Sequence, residues 1–110
     1  MESILTSIKK MLGIPEEYEH FNADLIMHIN SVFTILTQLG VGPSEGFRIT
    51  DDTAIWEDFV AEEDGYDSIK SYMHLKVKIL FDPPASSVVM ESMNRMINEF
   101  EWRLNVKAES

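Results

Sequence analysis

Between Asn22 and Gly40 the apolar residues Leu25, Ile29, Val32, Leu36 and Leu39 recur at alternating steps of four and three, with Ile26 and Phe33 beside them. A period of 3.6 gathers such residues into one stripe, so the segment is predicted to be an amphipathic helix that must bury that stripe against a neighbour. Both ends carry stop signals. Asn22 is expected to be the N-cap, and Gly40, just past the last periodic residue, lets Val41 fold back on Leu36 in a Schellman-type closure.

Other segments repeat this pattern, which is what turns one helix into a bundle. Ser3 is suited to cap a short helix carrying Ile4, Ile8, Met11 and Leu12 on one face, closed by Gly13 and followed by a turn at Ile14-Pro15. Asp67 is expected to cap a helix with Ile69, Tyr72, Met73, Val77 and Leu80 on its buried face, ended by Asp82-Pro83-Pro84. The last helix should begin near Ser86 or Ser87 and bury Val89, Met93, Met96, Phe100 and Leu104, with Glu91 early and Arg103 and Lys107 late, as the helix dipole prefers. From Val41 to Gly65 the pattern breaks at Gly42-Pro43, Gly46 and Asp51-Asp52. A connection this long needs internal order. The expectation is one short helix starting near Asp52 that presents Ile55, Trp56 and Phe59, and a brief pairing of Arg48-Ile49-Thr50 with some other part of the chain. No period-two strand or repeat is visible. The predicted architecture is one all-α domain over residues 1–110: a small bundle of four to five helices, with a long acidic loop at 41–65 between the second and fourth helices and a tail at 105–110.

The chain has 110 residues, 45% of them hydrophobic and 25% charged, which is ordinary for a globular domain able to build its own core. It has no cysteine, so disulfides and thiolate chemistry are excluded. The N-terminus lacks a basic stretch, and no apolar run approaches the roughly 20 residues of a membrane span. The expectation is a soluble, unsecreted protein without membrane partners. Its net charge is -10, which repels a phosphate backbone. The acid is concentrated at Glu45, Asp51, Asp52, Glu57, Asp58, Glu62, Glu63 and Asp64, where Arg48 is the sole cation.

Catalytic groupings are sparse. His20, His28 and His74 fit no metal-binding spacing, no Gly-x-Ser-x-Gly elbow or phosphate-cradling loop is present, and the acidic pairs lack the alternating ligands of an EF-hand. A non-enzymatic protein without cofactor or metal is expected. The methionines at 73, 90, 93 and 96 lie within helical stripes and read as core. Trp56 and Trp102 lie off the main stripes and read as interface candidates, since tryptophan is enriched where proteins meet.

Phe81-Asp82-Pro83-Pro84-Ala85-Ser86-Ser87, followed by a helix ending Glu99-Phe100-Glu101-Trp102-Arg103-Leu104-Asn105-Val106, resembles the C-terminal half of the head-tail connector (adaptor) proteins of long-tailed bacteriophages. The segment Ile8-Lys9-Lys10-Met11-Leu12-Gly13-Ile14, with Phe21 and Asp24 opening the next helix, resembles the beginning of that family. The resemblance implies a helical virion protein at the neck, put together in the host cytoplasm. It also implies a homo-oligomeric ring, commonly of about a dozen copies, joined by heterologous contacts. Its expected partners are the phage portal protein above and a neck or tail-completion protein below, with DNA passing through the channel without sequence-specific binding. Carried onto this chain, the contact residues would be Trp102, Arg103, Leu104, Asn105 and Val106, together with the loop from Glu45 to Asp64. The alternative from a different class is an acidic DNA mimic that inhibits a nucleic-acid-binding protein.

Overall fold

The computed structural model describes residues 2–61 and 66–109. They form α1 (Ile4–Leu12), α2 (Asn22–Gln38), the single-turn α3 (Trp56–Phe59), α4 (Tyr66–Phe81) and α5 (Ser87–Glu109). The fold is a small all-α bundle. As expected, Ser3 caps α1, its Oγ accepting the Thr6 N–H at 3.0 Å. The ends of α1 and α2 close in the same way: Gly13 and Ile14 donate to the carbonyls of Lys10 and Lys9, and Gly40 and Val41 to those of Thr37 and Leu36 at 3.0 and 2.9 Å. Gly40 makes this possible with φ at 86°, a left-handed conformation that a Cβ disfavours.

Two predicted caps are corrected. Asn22 is the first helical residue of α2 rather than its cap; Phe21 holds the cap position and makes no side-chain cap bond. The start of α2 is set by packing instead, since Phe21 lies edge-on to Phe81 with ring centroids 5.1 Å apart. Asp67 lies inside the first turn of α4, where its charge suits the helix dipole, and not at the cap.

Helix α4 is central, packing against α1, α2 and α5, and the molecule is a slab of 40 × 36 × 20 Å. The core takes Ile4, Leu5 and Ile8 from α1, Leu25, Ile29, Val32, Phe33 and Leu36 from α2, and Ile69, Tyr72, Met73 and Val77 from α4. Each such side chain contributes about 1.5–3 kcal/mol by leaving water. Lys9 is buried with them, and its Nζ donates to the carbonyls of Glu16 and Tyr18 at 2.8 and 2.6 Å, tying the 13–21 turn to α1.

The long connection is apolar underneath and acidic above. Phe33 of α2 is covered by Phe47, Phe59 and Trp56, at ring-centroid distances of 5.0, 4.7 and 6.4 Å. The expected pairing near Ile49 is made with a side chain: Asn30 exchanges two hydrogen bonds with the Ile49 backbone, at 2.9 and 2.8 Å. Helix α3 starts at Trp56 rather than near Asp52. The reason is local: the Asp51 carboxylate accepts from the Thr53 N–H and hydroxyl, holding a turn there, while Asp58 accepts the Ile55 N–H at 3.0 Å. At the other end of the connection Gly42 has φ at 82°, and a Cβ on it would collide with the Phe59 ring.

The inward line of α5 also differs from the predicted one. Ile97 and Leu104 are buried and Met93 and Phe100 partly so, whereas Val89 and Met96 stand about half exposed, as does Leu80 on α4. The cause is polar. Tyr72 donates to Glu101 at 2.6 Å across the α4–α5 seam, which rotates α5 toward a line containing a carboxylate that a count of apolar residues passes over.

Candidate interaction surfaces

Helix α5 has 23 residues and is therefore about 34 Å long at 1.5 Å per residue, close to the full length of the slab. Packed mainly along α4, it leaves its opposite side in solvent. Val88, Arg95 and Trp102 follow one another at intervals of seven, so they share that outer line, with Glu91, Glu99 and Val106 beside them. Trp102 is 67% exposed and Val88 70%. Arg103 is also exposed and pairs with Glu99 at 2.6 Å. The rest of the predicted C-terminal set is divided. Leu104 is a core residue and offers no surface, Asn105 donates to the Leu39 carbonyl at 3.2 Å and so fastens α5 to the end of α2, and Val106 is about half exposed.

The other predicted tryptophan is corrected: Trp56 is 1% exposed, with its Nε1 donating to the Ser7 hydroxyl at 2.9 Å, and presents nothing to a partner. The sequence signal that separates the two is Phe59 three residues on, which makes Trp56 and Phe59 one face of α3, whereas the seventh residue before Trp102 is an arginine.

Glu45, Asp51, Asp52, Glu57 and Asp58 are all exposed; Glu62, Glu63 and Asp64 lie outside the described residues. Thr53 donates from hydroxyl and backbone to Asp51 and holds its carboxyl below the usual carboxylate range. Phe47 and Ile49 point inward beneath this acidic surface, and Arg48 between them points out.

The concavities are open and lie on the surface. One of about 420 Å³ is bounded by Val41, Phe59, Leu104 and Lys107, and one of about 480 Å³ lies on the outer side of α2; neither is lined by a histidine. His20 packs on Phe21 at 5.0 Å and His28 on Phe81 at 6.5 Å, while His74 meets the Met11 backbone. Among the described residues no group of three or more histidines and carboxylates is placed to hold a metal ion, and no helix is long and apolar enough to cross a membrane.

A family described as phage connector protein matches residues 4–110. The chain belongs to that family. It is thus a structural connector of a phage particle, a component of the virion that works with other head and tail proteins. Neither a curated protein nor a solved structure matches this connector.

Proposed function

We propose that this connector assembles into a homo-oligomeric ring of about a dozen copies that docks beneath the portal protein and receives a neck or tail-completion protein below. DNA passes through the ring without sequence-specific contact. The observation that carries this reading is the outer line of α5, where Val88 and Trp102 stand in water along the side of the longest helix among the described residues. Apolar side chains aligned in this way mark a surface that another protein covers, and tryptophan and arginine contribute most where such surfaces meet. The slab shape suits a wedge in a ring. A net charge of -10 suits a wall past which a negatively charged duplex must slide without adhering.

Capsids made by a phage lacking this gene should hold DNA and carry no tail. Fully tailed particles from that phage would end the proposal. With the gene restored as the Trp102→Ala variant, particles should again be predominantly tailless while the purified protein remains folded.

A further inference from the structure

A ring made by one repeated contact needs two different faces on each copy, and on the reading above the α5 line is the first. We infer that the second is the outer side of α2 around Arg48, and that its occupant is the α5 line of a neighbouring copy, running antiparallel.

The outer side of α2 is shaped to receive knobs. Two hollows lie along it: one of about 340 Å³ includes Ala23, Ile26 and Met27, and the other of about 480 Å³ includes Thr37, Gln38 and Phe47. Thr34 and Arg48 line both and divide them. The face looks polar in sequence, yet its hydroxyl donors are already used. Ser31, Thr34 and Thr37 donate to the carbonyls of Met27, Asn30 and Phe33 at 3.0, 3.2 and 3.0 Å. Covering them with a partner's apolar side chains therefore strands no donor.

Arg48 is held in place before any partner arrives. The paired hydrogen bonds between Asn30 and Ile49 pin the 47–50 segment to α2, so the position of Arg48 is set by the residues on either side. Lys10, Lys78 and Arg103 pair with Glu2, Asp82 and Glu99. Arg48 is exposed and has no ion pair among the described residues, and the same is true of Glu91 on α5.

The two faces match in length and in order. Ala23 to Gln38 spans about 22 Å of helix and Val88 to Trp102 about 21 Å. Set antiparallel, Val88 falls against the hollow at Thr37 and Gln38, Trp102 against the hollow at Ala23 and Ile26, and Glu91 against Arg48. Arg95 then lies opposite Ser31, whose oxygen still accepts. The parallel arrangement would bring Arg48 to Glu99, which Arg103 already occupies. Two copies that each carry ten excess negative charges repel, so a contact between them must oppose one of the few unpaired cations with an acid.

The test is native mass spectrometry of the full chain with its portal protein, for wild type, Arg48→Glu, and Arg48→Glu combined with Glu91→Arg. Wild type should form rings, the single variant should need roughly 100-fold more protein to do so, and the double variant should recover. Circular dichroism should report the same helicity for all three, because both residues are exposed. Rings of Arg48→Glu at the wild-type concentration, or a double variant that does not recover, would overturn the α2–α5 contact and leave the ring intact. Wild-type protein that stays monomeric on the portal would overturn the ring itself, and this contact with it.

Discussion

Helices α2 and α5 carry the same kind of amphipathic pattern and put it to opposite uses. In 17 residues α2 buries Leu25, Ile29, Asn30, Val32, Phe33 and Leu36, while α5 in 23 residues buries only Ile97 and Leu104. The difference lies in what packs against each. Helix α2 is enclosed by α1, by α4 and by the aromatic underside of the long connection, whereas α5 packs mainly on α4, is fastened to the end of α2 through Asn105, and carries Val88, Arg95 and Trp102 on its outer line. An apolar residue at helical spacing thus reports a surface that something covers, and on the function proposed above part of that covering in α5 comes from another chain.

The two tryptophans give the sharpest way to break the comparison. Trp56→Ala empties a site among Phe33, Phe59 and α1 and removes the donor to Ser7, so unfolding free energy should fall by about 3–5 kcal/mol in a denaturant titration. Trp102→Ala should change the stability of the isolated chain by no more than about 0.5 kcal/mol, since its side chain is mostly in water. Comparable losses at the two positions would mean that the outer line of α5 is packed as firmly as the core under α2.

How much of this was legible in the sequence follows the same division. The helices that bury a full stripe announced themselves through spacing and through Gly13 and Gly40, and the stop at Asp82-Pro83-Pro84 needed only the chemistry of proline. What escaped was anything fixed by a polar group reaching across the fold. Glu101 sets the rotation of α5 through Tyr72, so Val89 and Met96, which apolar spacing alone places inward, lie out. Ser7 accepts from Trp56 across 49 positions, a partner that the local spacing of Trp56 and Phe59 does not reveal. Spacing places Trp102 outward because its neighbours at two positions either side belong to the buried line, whereas Leu104, which the family resemblance counts among the contact residues, is core.

A second, smaller effect tests the enclosure of α2 by the long connection. Gly42→Ala should destabilise by about 1–3 kcal/mol, because its Cβ meets the ring of the buried Phe59. Gly13→Ala is the control: its φ is also positive at 78°, but nothing lies within 4 Å of the added carbon, so only the conformational cost applies. Thermal or denaturant midpoints that fall equally for the two would show that Phe59 is free to move aside, and that the connection rests on α2 more loosely than its aromatic contacts indicate.

The smallest expected effect concerns pH and the side of α4 that faces α1. Burial holds the His74 imidazole below its ordinary range, the Lys78 charge one turn away acts in the same direction, and a hydrogen bond with the Met11 backbone opposes both. The folded chain therefore resists the proton, and as pH falls below about 6.5 the unfolded chain takes it first. Stability from this site is present at neutral pH and is lost on acidification. His74→Gln, which has no charge to acquire, should flatten the stability profile between pH 7 and 5.5, although it forfeits some packing throughout. Because α5 does not share this seam, the Tyr72–Glu101 bond should persist over that window, so acid should loosen α1 before α5. Parallel profiles for wild type and variant, or hydrogen exchange that accelerates first in α5, would place the weaker side of the molecule opposite to where its packing puts it.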